Sequence, residues 1–288
     1  SEVSTVIDIV QESIVVGESK FYGIYCLALP TRCFGTDGKR MLLSTPQQNE
    51  IRSYVVDLDT GSMVDISNST VPGSTVVLDV ASDVILATCS NITTPSQLHV
   101  ARLPPAGSEG TVQWTLVSQP ASVPAALALQ TSVDYLHLEH PGSDDAVKSF
   151  TAIYVAPKSG GKVPLIVWPH GGPHSGFVNS FSMEAALFTM LGFSLLQVNY
   201  RGSVGAGQAS VDFLPQRIGG ADVVDCKLAT DEIVGRCGTD RVGLTGGSHG
   251  GFLVTHLSGQ YPETYHAVVA RNPVIDVASM VNSTDIPD

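Results

Sequence analysis

The sequence predicts two regions of different fold: a β-rich region over residues 1–118 and, after a junction over 119–149, a doubly wound α/β region over 150–288. Short β-branched runs broken by Gly, Pro, Ser and Asp characterise the first region, whereas buried-type strands alternate with helical stretches in the second. Apolar residues make up 43% of the chain and charged residues only 15%, which is typical of a protein with much buried strand.

The β-rich region contains runs with the two-residue period of strands. Two alternating runs over residues 53–67 flank Asp59-Thr60-Gly61, which predicts a β-hairpin. Similar runs follow at 74–90 and 97–118. Strands of this length and spacing occur in sandwiches, barrels and propeller blades, and no clear repeat in the sequence decides among them.

In the α/β region, predicted strands alternate regularly with predicted helices. Strands are predicted at 151–157, 162–169, 193–200, 241–247 and 265–274, and helices at 182–191, 221–235 and 250–260. This alternation predicts a parallel sheet with helices on both faces. In the helix over 221–235 we expect Val224, Leu228 and Ile233 to share the buried face.

Composition excludes several classes of function. The longest apolar stretch, 185–196, is interrupted by Gly192 and is shorter than the roughly 20 residues that span a bilayer, so we expect a core segment and no membrane partner. A net charge of −12 argues against a nucleic-acid partner. The eight histidines show no metal-binding spacing, and we expect no metal.

The five cysteines are scattered and show no C-x-x-C spacing. They are Cys26, Cys33, Cys89, Cys226 and Cys237. An odd number of scattered cysteines predicts free thiols in a reducing compartment, and therefore a cytoplasmic protein.

The segment from Gly246 to Gly250 reads G-G-S-H-G and fits the G-x-S-x-G pattern of a nucleophile elbow. It follows a predicted strand and precedes a predicted helix, as that turn requires. Glycines two residues on either side of Ser248 relieve the crowding of a strained backbone. We therefore interpret Ser248 as a catalytic nucleophile, with Gly246 and Gly250 as the elbow glycines.

A second glycine turn, PHGGPH over residues 169–174, follows an earlier strand of the same sheet. A turn at this place supplies one backbone N–H to an oxyanion hole, and the residue after the nucleophile supplies the other. The predicted donors are the amides of Gly172 (or Gly171) and His249. The third glycine-rich loop, NYRGSVGAG over 199–207, lacks the spacing of a nucleotide-binding motif.

These motifs, in this order, resemble those of the prolyl oligopeptidase family of serine peptidases. The stretch GGSHGGFLVTHLSGQYPETYHAVVARNPVIDVASM is similar, within that family, to the acylaminoacyl peptidases. The resemblance implies an α/β-hydrolase domain over 150–288, preceded by a β-propeller of which 1–118 would be the last blades. It also implies an omega peptidase that removes N-acylated, often N-acetylated, amino acids from short peptides, needs no cofactor and forms a homo-oligomer, with a tetramer suggested by the family.

The sequence departs from the family pattern at the other members of the triad. The acid and the histidine follow the serine in the chain order of α/β-hydrolases, but only 40 residues follow Ser248 and His266 has no acid partner before it. We therefore expect the triad Asp and His not to be in this chain. The chain would be a C-terminally incomplete segment whose remaining segments are its partners.

Two alternatives to this function stay open at the level of sequence. A related dipeptidyl- or oligopeptidase, or an esterase, would use the same motifs with a different substrate pocket. An inactive, truncated binding fragment would account for the missing acid and histidine, because an unactivated serine is a weak nucleophile.

Overall fold

The computed structural model describes residues 3–119, 122–140, 145–281 and 283. In the described part of the first 119 residues the chain forms antiparallel strands connected mostly by short turns. These strands are β1 (Ile14–Val16), β2 (Ser19–Phe21), β3 (Arg40–Gln47), β4 (Glu50–Asp57), β5 (Met63–Asp65), β6 (Ser74–Ala81), β7 (Val84–Asn91), β8 (Thr94–Arg102) and β9 (Thr115–Leu116). They form three sheets, β1-β2, β3-β4-β5 and β6-β7-β8-β9.

The predicted hairpin around Asp59-Thr60-Gly61 is confirmed. Strands β4 and β5 pair antiparallel on either side of it. The Asp57 carboxylate holds the turn by accepting hydrogen bonds from the amides of Asp59 at 3.1 Å and Thr60 at 2.8 Å. Gly61 has a φ of +71°, the left-handed conformation that glycine adopts without strain.

The sheets of this region pack on one another through apolar faces. Leu42 and Val55 of one sheet meet Val77 and Ile85 of the next in a common buried cluster. Strands β3 and β4 also bury side chains on their opposite face. Because successive side chains of a strand point to opposite faces, this sheet contacts both of its neighbours.

From residue 125 the described elements build a second unit. They are α1 (Ala125–Gln130), β10 (Thr131–Glu139), β11 (Ser149–Pro157), β12 (Leu165–Pro169), α2 (Met183–Met190), β13 (Ser194–Asn199), α3 (Gln208–Phe213), α4 (Ala221–Cys237), β14 (Val242–Gly247), α5 (His249–Gln260), β15 (Ala267–Arg271) and α6 (Val277–Met280). The strands form one sheet in the order β10-β11-β13-β12-β14-β15.

The stretch 119–149, expected as a junction, carries α1 and β10 of this second unit. Strand β10 pairs along its full length with β11 and buries Leu136 and Leu138 on one side. Residues 120, 121 and 141–144 of the stretch lie outside the described residues.

The prediction of a parallel sheet is correct for β12 to β15 and wrong for β11, and the sheet has a further strand, β10, that was not predicted. Strand β10 runs antiparallel to β11, and β11 runs antiparallel to β13. The stretch between β11 and β12, residues 158–164, contains no helix. A parallel connection needs a crossover of about a dozen residues or more, so this stretch is too short for one.

The doubly wound arrangement is confirmed, because helices cover both faces of the sheet. Helices α4 and α5 bury Val223, Ile233 and Leu253 against one face. On the other face Ala185 of α2 packs with Leu195 of β13.

Two expectations about buried faces are wrong in part. In α4 Ile233 is buried and Leu228 packs partly buried against the core, as expected, but Val224 is 43% exposed and its neighbour Val223 is buried instead. The apolar stretch 185–196 is buried only in part: β13 is fully buried, but α2 presents Leu187 to solvent. No helix among the described residues is long and apolar enough to cross a bilayer.

Val223 and Val224 form a matched pair for testing the buried face of α4. Val223→Ala removes buried methyl groups, and we expect the free energy of unfolding to fall by about 2 kcal/mol. Val224→Ala removes methyl groups near solvent, and the change should stay below about 0.5 kcal/mol. Denaturant titration of both variants checks this difference, and equal losses would contradict the burial pattern.

Candidate active site

The backbone turns sharply at Ser248, between the end of β14 and the start of α5. Ser248 has φ 56° and ψ −123°, a conformation that a residue with a Cβ rarely adopts. Its amide donates to the Arg271 carbonyl at 3.1 Å, and its carbonyl accepts from the Phe252 amide at 3.0 Å. The serine is therefore held at a strand-to-helix elbow by both the sheet and the helix.

The two elbow glycines are required by close approach of backbone atoms. A Cβ at Gly246 would lie 2.4 Å from the carbonyl oxygen of Gly250, and a Cβ at Gly250 would lie 2.4 Å from that of Pro169. Real Cβ atoms do not approach so closely. Any side chain at either position would force α5 away from the strands β14 and β12.

The turn after β12 lies directly against the serine. A Cβ built on Gly171 would be 3.4 Å from the Cβ of Ser248, so the two residues are neighbours across the site. Gly172 has a φ of +129°, which only glycine adopts readily. The structure thus brings Gly171 and the first residue of α5, His249, to positions beside Ser248.

The amide of His249 is well suited to bind a negative charge. As the first residue of a twelve-residue helix, it has no carbonyl partner within the helix for its N–H. The helix dipole adds a partial positive charge at the same end. An oxyanion beside Ser248 would meet both effects.

His170 fixes the orientation of the neighbouring peptide group. Its Nδ1–H donates to the Gly171 carbonyl at 2.6 Å, and its Nε2 accepts from the Ser203 hydroxyl at 2.7 Å. Because the carbonyl and the N–H of a trans peptide point in opposite directions, the Gly172 N–H points away from the His170 ring. Burial keeps this ring neutral by lowering the pKa of His170 to about 4.

The side chain of His249 is directed away from the serine, toward a buried carboxylate. Its Nε2 is 2.9 Å from Oδ2 of Asp222, which is fully buried. The other carboxylate oxygen of Asp222 accepts from the amides of Gly219 and Val223. His249 therefore offers the site its backbone N–H, and its side chain ties α5 to the start of α4. Sequence reasoning missed Asp222, which looks like an ordinary acidic residue in a first helical turn.

None of the described residues forms a hydrogen bond with the Ser248 hydroxyl. His174 contacts the Gly202 carbonyl at 2.9 Å, and the ring of His256 lies 4.2 Å from that of Phe252. His266 is exposed, and its amide donates to the Val242 carbonyl at the opposite end of β14 from the serine. No general base for Ser248 is present among these side chains.

Two arginines near the site were not anticipated from the sequence. Arg271, two thirds exposed, lies beside the backbone of Gly247 and within 3.3 Å of Glu184. Arg201 is buried and binds the buried Asp225 through two nitrogens and its own amide. Breaking a buried pair of this kind costs about 3–5 kcal/mol, so Arg201 anchors the start of the glycine-rich loop on α4.

The described residues contain no group of three or more His, Cys, Asp or Glu side chains arranged to hold a metal ion. The groups that converge at Ser248 are one hydroxyl and backbone amides. Such a set can stabilise the negative charge that develops when a nucleophile attacks a carbonyl carbon.

Sequence comparison relates both halves of the chain to known proteins. The profile of the prolyl oligopeptidase family matches residues 179–287, and that of the N-terminal domain of acylamino-acid-releasing enzyme matches residues 1–126. Over 99% of its length the chain is 40% identical to the acylamino-acid-releasing enzyme of Sus scrofa and 41% identical to that of Rattus norvegicus. It spans 39% of the length of each of these relatives.

Structure comparison supports the same fold. The acylaminoacyl peptidase of Pyrococcus horikoshii matches with a TM-score of 0.70 at 18% identity. The match covers 88% of this chain and 38% of the other. The matched part of that protein therefore shares the fold of this chain at low sequence identity.

The buried His170 gives the folding stability a defined pH dependence. Its pKa is about 4 in the folded protein and about 6.5 in the unfolded chain, so the unfolded state binds more protons between these values. Stability should therefore fall as the pH decreases from about 6.5 to about 4. Urea titrations at about pH 7 and about pH 4.5 should show a smaller difference for His170→Gln than for the wild type. An unchanged difference would contradict this role of the ring.

Proposed function

Since the chain belongs, through its matches over residues 1–126 and 179–287, to the acylamino-acid-releasing enzymes of the prolyl oligopeptidase family, we propose that the protein is a serine peptidase that removes N-acylated amino acids from short peptides. One observation carries the proposal. Ser248 lies partly buried at a strained strand-to-helix turn, with Gly171 against its side chain.

The geometry supports an acyl-enzyme mechanism. The Ser248 hydroxyl would attack the carbonyl carbon of the acylated residue, and the oxyanion formed would accept hydrogen bonds from the amides of His249 and Gly172 (or Gly171). Collapse of this intermediate would break the C–N bond of the scissile peptide. The leaving amino group of the shortened peptide would take the proton that the general base removed from the serine, and the N-acylaminoacyl group would remain as an ester on Ser248. Water would then release the N-acyl amino acid.

The proposal requires a general base from elsewhere. No described histidine reaches Ser248, so the histidine and its acid partner would come from residues outside these 288. Without them the serine would remain a weak nucleophile at neutral pH.

Three further parts of the proposal concern the domain organisation, the cellular location and the oligomeric state. Sheets that pack face to face in chain order over 1–118 are what consecutive β-propeller blades would produce, with 119–149 as the junction to the catalytic domain over 150–288. All five cysteines are free, which fits a reducing, cytoplasmic location. A homo-oligomer, with a tetramer suggested by the family, rests on the family membership alone.

Active-site labelling tests the nucleophile. In the natural full-length protein, a fluorophosphonate probe should label the wild type and should fail to label Ser248→Ala, because the probe forms its bond with an activated serine. Ser258→Ala is the control: this serine lies on the same helix α5, and its hydroxyl donates to the Thr255 carbonyl. Persistent labelling of the Ser248 variant would refute the assignment.

A comparison of substrates distinguishes the proposed activity from the related hydrolase activities that use the same motifs. We expect the full-length protein to hydrolyse N-acetyl-alanyl p-nitroanilide and not alanyl p-nitroanilide with a free amino group. Release of nitroaniline, followed by absorbance, measures both rates. Faster turnover of the free amino substrate would instead assign an aminopeptidase-type activity, and cleavage of simple esters alone would assign an esterase.

A further inference from the structure

The catalytic proposal leaves the glycine-rich loop over 199–207 without a role. This loop follows β13, and the spacing of its glycines does not fit a nucleotide site. In the structure the loop is in contact with the N-terminal region. The turn between β3 and β4, residues 47–50, which we call the 47–50 tip, reaches into the C-terminal unit at this point.

Asn49, in the 47–50 tip, is buried, and its side chain forms hydrogen bonds with residues of the C-terminal unit. It is only 4% exposed. Its Oδ1 accepts hydrogen bonds from the Thr151 hydroxyl at 2.9 Å and from Nδ2 of Asn199 at 3.2 Å. One side-chain oxygen of the N-terminal region thus joins β11 and the start of the glycine-rich loop.

The backbone of the 47–50 tip adds two more bonds. The Gln48 amide donates to the Gly205 carbonyl at 2.8 Å, and the Asn49 carbonyl accepts from the Asn179 amide at 2.6 Å. A Cβ at Gly205 would lie 3.1 Å from the Gln48 nitrogen. Glycine at this position lets the two segments of the chain approach closely enough to form the hydrogen bond between Gln48 and Gly205.

Asn179 also accepts hydrogen bonds from two other parts of the N-terminal region. The Ile92 amide donates to Oδ1 of Asn179 at 2.9 Å, and the Ser74 amide donates to its carbonyl at 3.1 Å. Ile92 is 1% exposed and packs with Ala185 beneath α2. Asn179 therefore receives contacts from three separate elements of the N-terminal region.

The same asparagines hold the chain that follows the candidate oxyanion turn. Oδ1 of Asn199 accepts from the Phe177 amide at 2.7 Å, and its Nδ2 donates to the Phe177 carbonyl at 2.9 Å. With the bond to Asn49, both protons of that amide group are used. The Phe177 ring packs edge-on against His170 at 5.8 Å, and His170 bonds to Gly171.

We propose that Asn49 is a positioning residue, through which the N-terminal region holds the Gly171–Gly172 turn in register with Ser248. The proposal rests on the proposed function for its catalytic consequence. Asn49 does not touch the reacting atoms. Its side chain bonds to Asn199, Asn199 bonds to Phe177, and the Phe177 ring packs against His170. A displacement of about 1 Å in such a turn is enough to slow catalysis by about a hundredfold.

Asn49→Ala in the natural full-length protein tests this role with two measurements. Hydrogen exchange of the Phe177 amide should rise by about tenfold, since its acceptor Asn199 loses the hydrogen bond to Oδ1 of Asn49, which contributes about 1 kcal/mol. For N-acetyl-alanyl p-nitroanilide, kcat should fall by about tenfold or more while KM changes by less than about twofold, because the loss affects charge stabilisation in the transition state.

Asp57→Ala is the matched control. Asp57 ends the same strand β4 at its opposite end, and its carboxylate accepts hydrogen bonds from Asp59 and Thr60 of its own turn. It should weaken the hairpin locally and leave both the exchange of Phe177 and the value of kcat at the wild-type level. An equal fall in kcat for this control would overturn the proposal, because it would show a general loss of stability.

Thr151 provides a second pair of variants should Asn49→Ala fail to fold. Thr151→Val removes one donor to Asn49 and should show the same pattern more weakly, and Thr151→Ser keeps the hydroxyl and should match the wild type. Unchanged exchange at Phe177, or faster exchange with unchanged kcat, would overturn the positioning role. If the wild type fails to turn over the acetylated substrate, the proposed function and the catalytic part of this inference fail together, whereas the exchange measurements still decide the structural anchor.

Discussion

The candidate active site depends on the backbone of α5 lying closer to β12 than any side chain would permit. At Gly250 a Cβ would lie 2.4 Å from the Pro169 carbonyl oxygen. This contact brings the turn that follows β12 against the first turn of α5, so that Gly171 becomes a neighbour of Ser248. If the two backbones were separated, Gly171 would no longer lie against Ser248. A single pair of close-packed main chains thus determines whether the site exists.

Hydrogen bonds of the Ser248 backbone offset the strain of its conformation. A non-glycine residue in so rare a conformation costs about 1–3 kcal/mol. The bonds that the Ser248 amide and carbonyl make with Arg271 and Phe252 each return about 1 kcal/mol. Because one partner belongs to the sheet and the other to the helix, the serine keeps its conformation only while both elements remain in place.

Periodicity and motif spacing predicted the strands and helices of the second half and the turn at Ser248, because these are local properties of the chain. The direction of β10 and β11 was not predictable in that way, since it depends on which strand each one meets. On the buried face of α4 the prediction was correct for Ile233 and wrong for Val224, whose neighbour Val223 is buried instead, because the sheet sets which side chains of the helix are covered. The buried partners Asp222 and Asn49 also escaped prediction, since their roles arise only from residues distant in the sequence.

The bond between Asn49 and Asn199 joins residues 150 positions apart and crosses the boundary between the two halves of the molecule. Its effect on evolution follows from its geometry. A β-rich half from one relative could be recombined with a catalytic half from another only if the donor and acceptor at these positions still matched. The two halves therefore resemble independent modules in their folds but must be inherited as a compatible pair.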